Sequence, residues 1–238
     1  MLEVVPFAAW LDQILYRRPF EGTSAHRYAT AQRLAFGDFD ERLLGELSAA
    51  LDGPRSLLDL GCGPATFAML AAARHPALNV IALEPSRELT RRASREAHAR
   101  RPRPWASEVG VGDQRRYTLV RAFGEALPIR DGVIDIAICL SSIRHVRDRP
   151  ATLRELRRVV RPGGSLLIVE LDPAADARRI ARHADQLGSP ILRHVFGPLV
   201  VKTAPPSSAI KALAQSAGWQ VQALRDDPVQ PVYVMELG

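Results

Sequence analysis

The chain is short of cysteine, of lysine and of long apolar runs, and each shortage removes a class of protein. Two cysteines in 238 residues, Cys62 and Cys139, cannot frame a disulfide scaffold. A reducing compartment follows as the expected setting, with the cytoplasm as the expected location. No Cys/His spacing resembles a zinc site, so no metal is expected. The best apolar run, Val133 to Leu140, is broken by Asp135 and is far below the length of a membrane span. The start, Met1-Leu2-Glu3-Val4, has no basic segment and carries an acid, which argues against a secretory signal. Lysine occurs only at 202 and 211, so 30 of the 32 basic residues are arginine. Arginine in place of lysine has the look of a coding bias, which weakens any step from basic charge to nucleic acid.

What is present is ordinary for a folded domain. Hydrophobic residues make up 47% and charged residues 24%, which excludes a disordered chain, a collagen and a coiled coil. The net charge of +6 fits a solvated basic surface or a polyanionic substrate. At about 150 residues per domain the length allows one or two units.

The N-terminal fifth reads as helices. Phe7, Trp10, Leu11, Ile14 and Leu15 recur at helical spacing. Arg18 to Thr23 breaks that helix, Thr23 or Ser24 can cap a second to about Phe36, and Asp38 a third. Asp52-Gly53-Pro54 ends this part, and residues 1–52 are expected to form a helical cap. Residues 53–238 then alternate. Strands are predicted at Ser56–Leu60, Asn79–Leu83, Tyr117–Val120, Val133–Leu140 and Ser165–Leu171, with helices between them. Alternation of this kind gives βαβ units and a parallel sheet. Pro173 to Gly188 reads as a helix and Ser189 to Thr203 as loop-like. A helix from Pro205 or Ser207 to Ala217 precedes two final strands, Trp219–Leu224 and Val232–Leu237. The fold class is therefore α/β: a Rossmann-like, mostly parallel seven-stranded sheet that ends in an antiparallel hairpin.

The segment with chemical content is Asp59-Leu60-Gly61-Cys62-Gly63-Pro64, where a strand runs through glycines into a helix. Glycines there permit a tight turn and close approach of backbone to a ligand. A phosphate loop would need Gly-Lys-Ser/Thr, and this one continues Pro64-Ala65-Thr66. A dinucleotide fingerprint would need glycine or alanine at position 66, which is Thr66. Glu84 ends the second strand, where a carboxylate can accept two ribose hydroxyls. A nucleoside without a phosphate grip is the ligand these residues describe.

Leu57 to Pro64 resembles motif I of class I S-adenosylmethionine-dependent methyltransferases. Leu83-Glu84-Pro85-Ser86 is similar to the family's ribose-binding strand end, and Gly124 to Ile129 to its adenine-side loop. Asp131 to Ile138 resembles its fourth strand, and Leu153 to Gly164 the helix and turn into the fifth. The similarity spans about Arg55 to Leu171, returns at the final hairpin, and lies nearest the ubiquinone and menaquinone methyltransferases. It implies S-adenosyl-L-methionine as cofactor. It implies cofactor contacts from Asp59, Gly61, Cys62, Gly63, Glu84, Pro85, Gly124, Glu125, Leu140 and Ser141. Phe123 stands where an acid often reads the adenine amino group; it packs on the adenine or in the core, and Glu125 can supply the missing bond by side chain or by backbone.

His145 follows strand four and is the candidate general base, or else a packing residue at a helix start. Tyr16, Tyr28, Arg144 and His194 are candidate substrate contacts. Arg193 and Phe196 belong with His194 to an expected lid over about 173–204. The implied activity is methyl transfer to an O or N atom of a small molecule, in natural-product or quinone biosynthesis. Two alternatives stand beside it. Arg87, Arg91 and Arg95 share one helix face and would serve an RNA methyltransferase. A scaffold that keeps the fold and has lost the site is the other.

Overall fold

The computed structural model describes residues 20–32, 34–53, 55–99, 117–188 and 190–238. The predicted helix through Phe7 to Leu15, Tyr16 and the basic run at 100–103 lie outside the described residues.

Seven strands form one sheet in the order β3-β2-β1-β4-β5-β7-β6. They are β1 (Ser56–Leu60), β2 (Asn79–Leu83), β3 (Tyr117–Val120), β4 (Ile134–Leu140), β5 (Val160–Leu171), β6 (Val221–Asp226) and β7 (Val232–Leu237). The first five pair in parallel, and β7 runs antiparallel between β5 and β6. The chain moves outward from β1 to β3 and then returns to place β4 on the other side of β1. The carboxyl ends of β1 and β4 thus flank the point where strand order reverses, where open α/β sheets bind ligands.

Helices cover both faces. These are α1 (Thr23–Arg27), α2 (Phe39–Leu51), α3 (Thr66–Arg74), α4 (Arg87–Ala99), α5 (Arg149–Val159), α6 (Ala177–Asp185), α7 (Pro190–Val195) and α8 (Ser207–Ser216). On one face Phe39, Leu43 and Leu44 of α2 join Phe67 of α3, Leu57, Ile138 and Val169 in one core cluster. On the other, Leu153 and Leu156 of α5 meet Ile210 of α8, Leu58, Ile168 and Trp219. Trp219 is 2% exposed, and its indole N–H donates to the Leu153 carbonyl at 3.0 Å. Trp219→Ala is expected to destabilise the fold by about 3–5 kcal/mol, mostly as a cavity. Urea unfolding measures this, and Trp219→Phe is expected to cost less.

Four expectations need correction. Thr23 and Ser24 do not cap α1: Gly22 holds the cap position, and the Ser24 hydroxyl bonds back to the Glu21 carbonyl at 2.7 Å. The second helix also does not run evenly to Phe36; α1 passes into a wider π turn at Tyr28–Gln32 and a 3-10 turn at Leu34–Phe36. The fifth strand starts at Val160, not Ser165, because Ile134 already pairs with Val160 and a bulge precedes the Ile136–Ser165 pair. The stretch 189–203 is not a plain loop: α7 and a π turn at Phe196–Val201 occupy most of it.

Side-chain anchors tie the outer elements down. Arg42 of α2 grips Asp227 before β7 with two bonds, at 2.8 and 3.2 Å. His183 of α6 stacks on Phe196 and meets the Gln230 side chain at 2.6 Å. Burial lowers its pKa and favours the neutral ring.

Candidate functional site

The loop after β1 turns under local hydrogen bonds. The N–H groups of Gly61 and Cys62 both donate to the Leu83 carbonyl, at 2.7 and 3.1 Å. Gly61 has φ +71° and Gly63 φ +58°, a region in which side chains are strained. Space is short as well: a Cβ on Gly61 would lie 2.5 Å from Ser142 Cβ, and one on Gly63 3.1 Å from the Tyr28 ring. The loop is thus a cradle that side chains would fill.

Glu84 joins that loop to the end of β2. One carboxylate oxygen accepts the Gly63 N–H at 2.9 Å, and the other accepts the Ser86 N–H at 2.9 Å. Each oxygen keeps a further lone pair for a ligand. Burial raises its pKa from 4.5 to about 7, although both N–H bonds favour the ionised form. Next to it, the Ser86 hydroxyl accepts the Leu89 N–H at 3.1 Å and so caps α4.

A cleft of about 670 Å³, counted with its open mouth, lies over these groups. Gly61, Gly63 and Glu84 form its floor, Pro85 and Leu89 one side, and Phe123, Gly124 and Glu125 another. Ser141, Ser142 and His145 close the end beyond β4, and Phe20 and Tyr28 lean over it. Phe20 stacks on Tyr28 at 4.7 Å and meets the His145 ring at 4.6 Å, an aromatic cover that sheds water. Ser141 holds a positive φ of 49°, and its buried Oγ has no hydrogen-bond partner. A strained residue with an unsatisfied hydroxyl at a strand end points to a ligand contact.

The remaining residues singled out in the sequence divide between cleft and interior. Phe123 lines the cleft, 43% exposed, with the Arg147 guanidinium 5.8 Å from its ring. It is therefore not a core residue. The Glu125 carboxylate accepts the Asp148 N–H at 3.0 Å. Asp59 is buried in β1 and Cys62 in the loop, and neither lines the cleft. Burial pushes both thiols up, that of Cys139 to about 12, which keeps them protonated. Leu140 lines an adjoining pocket instead of the cleft.

Arg144 and His194 do not meet the cleft. Arg144 is 2% exposed and donates to the Val200 carbonyl at 2.9 Å and the Thr203 hydroxyl at 3.3 Å. Its backbone N–H reaches the buried Glu170 carboxylate at 3.3 Å. Arg149 in turn donates to the Ile143 and Arg144 carbonyls, each at 3.0 Å. These bonds pin the 3-10 turn Ile143–His145 and leave the His145 ring toward the cleft. His194 is exposed on α7 with its ring against the Pro190 carbonyl, and Arg193 pairs with Asp185 at 2.7 Å. Phe20, Leu89, Ser142 and Arg147 line the cleft without having been singled out. Arg147 had a signal, since it lies two residues beyond His145; Phe20 gave only a helix break.

The residues present fit S-adenosylmethionine. The glycine cradle suits its amino-acid part, the Glu84 lone pairs suit a ribose diol, and the apolar flanks at Pro85, Leu89 and Phe123 suit a purine.

Comparisons with known proteins agree with this geometry. A family model described as a methyltransferase domain matches residues 58–168. An uncharacterized 37.1 kDa protein of transposon TN4556 from Streptomyces fradiae is 32% identical over 207 residues, 86% of this chain and 55% of that protein. The ubiquinone/menaquinone biosynthesis C-methyltransferase UbiE of Syntrophotalea carbinolica is 34% identical over 155 residues, 64% of this chain and 60% of that one. The chain thus spans a little over half the length of these relatives. The crystal structure of a SAM dependent methyltransferase from Aquifex aeolicus superposes with TM-score 0.66 at 15% identity, covering 92% of this chain and 98% of the other.

Proposed function

The chain carries a methyltransferase domain of the class I S-adenosylmethionine-dependent family, and from that premise we propose that it transfers a methyl group to an oxygen or nitrogen atom of a small molecule. The observation that carries the proposal is Glu84, buried and bonded to the Gly63 and Ser86 N–H groups at the floor of an open cleft whose glycine cradle has no room for side chains. When bound, S-adenosylmethionine supplies an electrophilic methyl on a sulfonium, which leaves as S-adenosylhomocysteine once the acceptor's lone pair has taken the methyl. Glu84 holds the ribose, Gly61 and Gly63 admit the amino-acid part, and Phe123 with Leu89 flanks the base. Phe20 and Tyr28 exclude water. Catalysis of this kind is mainly alignment.

His145 takes the proton that an O–H or N–H acceptor releases. His145→Gln is expected to lower kcat about a hundredfold, at the low end of general-base effects. S-adenosylhomocysteine affinity should stay within about threefold, because the proton transfer is separate from cofactor binding. A variant with unchanged kcat would remove His145 from the chemistry.

The proposal is tested by adding one- and two-ring phenols and amines to the protein with S-adenosylmethionine and following S-adenosylhomocysteine release. Acceptor-dependent release supports it. Product analysis locates the methyl, since the UbiE relative is named for transfer to carbon. Quinone or natural-product biosynthesis is the proposed setting. Arg87, Arg91 and Arg95, all exposed on α4, favour RNA as an alternative acceptor. Absence of RNA binding at low salt removes that alternative.

A further inference from the structure

The turn that carries His145 rests on buried charge. Glu170, near the end of β5, is fully buried, and Arg144 is nearly so. One Glu170 oxygen accepts the Arg144 N–H at 3.3 Å, and the other accepts the Leu171 N–H at 2.8 Å. The Arg144 guanidinium reaches the Val200 carbonyl and the Thr203 hydroxyl. Thr203 is itself held, since its hydroxyl donates to the Leu199 carbonyl at 2.6 Å. Arg149 closes the set from the first turn of α5 with its bonds to the Ile143 and Arg144 carbonyls. Both arginines face the Glu170 charge. Among the described residues that line the cleft, none is Arg144, Arg149 or Glu170, and none comes from 199–203.

We propose that Arg144 and Glu170 are positioning residues for His145, and that through Arg144 the segment Leu199–Thr203 sets where the His145 ring stands. The proposal deepens the proton-transfer role given to His145 and rests on it. Two features carry it. Replacing a buried ion pair by apolar side chains of the same volume is often neutral or stabilising, so stability alone does not account for this set. What the set does fix is the 3-10 turn Ile143–His145. Such a turn has three residues per revolution, so each side chain points about 120° from the one before it. With the Arg144 side chain locked to Val200 and Thr203, the next side chain is committed to the cleft, where the His145 ring meets Phe20 at 4.6 Å. The Glu170 bond to the Arg144 N–H holds the backbone between the two.

The first part of the test needs no methyl acceptor. The imidazole proton resonances of His145 are followed by NMR on the full chain, with and without S-adenosylhomocysteine, and are assigned by their loss in His145→Gln. Thr203→Val, which keeps the shape and removes the hydroxyl that Arg144 meets, is expected to shift them, because the ring moves relative to Phe20. Those of His98, exposed on α4, should stay in place. Glu170→Gln is expected to shift the His145 resonances further. The second part is kinetic. Thr203→Val should lower kcat about tenfold, within the roughly hundredfold that a misplacement of about 1 Å can cost. S-adenosylhomocysteine affinity should stay within about threefold. Made in His145→Gln, the substitution should cost nothing further, since residues that act through one another are not additive. Unmoved His145 resonances in Thr203→Val would overturn the proposal. So would a kcat loss that adds in full to that of His145→Gln, which is the mark of a merely structural role. Thr203→Val decides even if Glu170→Gln fails to fold. His145 resonances that move while His145→Gln keeps full kcat would uphold the positioning and remove His145 from the chemistry, so the two readings fail separately.

Discussion

Glu84→Ala is expected to weaken S-adenosylhomocysteine binding by about 1.5–3 kcal/mol, roughly ten- to a hundredfold. The substitution removes two acceptors for the ribose and frees the N–H groups of Gly63 and Ser86 that now hold the cleft floor together. Glu84→Gln is expected to lose nearly as much, because its amide NH2 must face one of those N–H donors. The same residue predicts a pH dependence. Its pKa is raised to about 7 by burial, so folding favours the protonated form. Its contribution to stability is therefore greatest below the ordinary value near 4.5 and declines as pH rises through about 7. Ribose binding has the opposite sense, since hydroxyls donate to a carboxylate. Affinity should fall below about pH 7, by up to tenfold per unit, and the dependence should vanish in Glu84→Gln. Calorimetric titration between about pH 5.5 and 8.5, which brackets the raised value, checks the affinity trend; a flat wild-type profile would contradict the assignment.

Gly61→Ala is expected to cost about 2–5 kcal/mol and to abolish measurable cofactor binding. A left-handed backbone alone costs a residue with a Cβ about 1–2 kcal/mol. Crowding against Ser142 adds about 1–3 kcal/mol, because Ser142 is itself held by a 2.6 Å bond from its hydroxyl to the Leu60 carbonyl. Gly218→Ala supplies the control. Gly218 follows α8 with φ +87°, and a Cβ there would meet nothing within 4 Å, so it should lose only the backbone part. Urea denaturation of the two variants separates strain from crowding. Equal losses would mean that Ser142 gives way and that the cradle is not tight.

These two positions were legible in the sequence because their signals are local. A strand, two glycines and a strand-end acid 21 positions after the second of them are enough to place a turn and a carboxylate side by side. Alternation of strands and helices gave the mostly parallel seven-stranded sheet and its closing hairpin; the order of the strands came only with the structure. Other features depended on contacts that no local pattern records. Arg144 suited a substrate ligand by position, yet the 3-10 turn sends its side chain to Val200 and Thr203 and the His145 ring to the cleft. The π turn at Tyr28–Gln32 has no propensity signature, and it lies where Tyr28 reaches over Gly63. The early start of β5 comes from the pairing of Val160 with Ile134, ahead of the Pro-Gly-Gly segment that locally signals a turn. Residues 190–201 show why such segments are hard to read: short helices are set by what they pack on, here the stacking of Phe196 on His183.

The most direct measurement of the central claim is a calorimetric titration of the wild-type chain with S-adenosylhomocysteine at about pH 8, where Glu84 is ionised. Saturable one-to-one binding in the micromolar range, about 7–8 kcal/mol, is the predicted result. No heat and no thermal stabilisation at millimolar ligand would contradict the account and leave the fold as a scaffold without its cofactor.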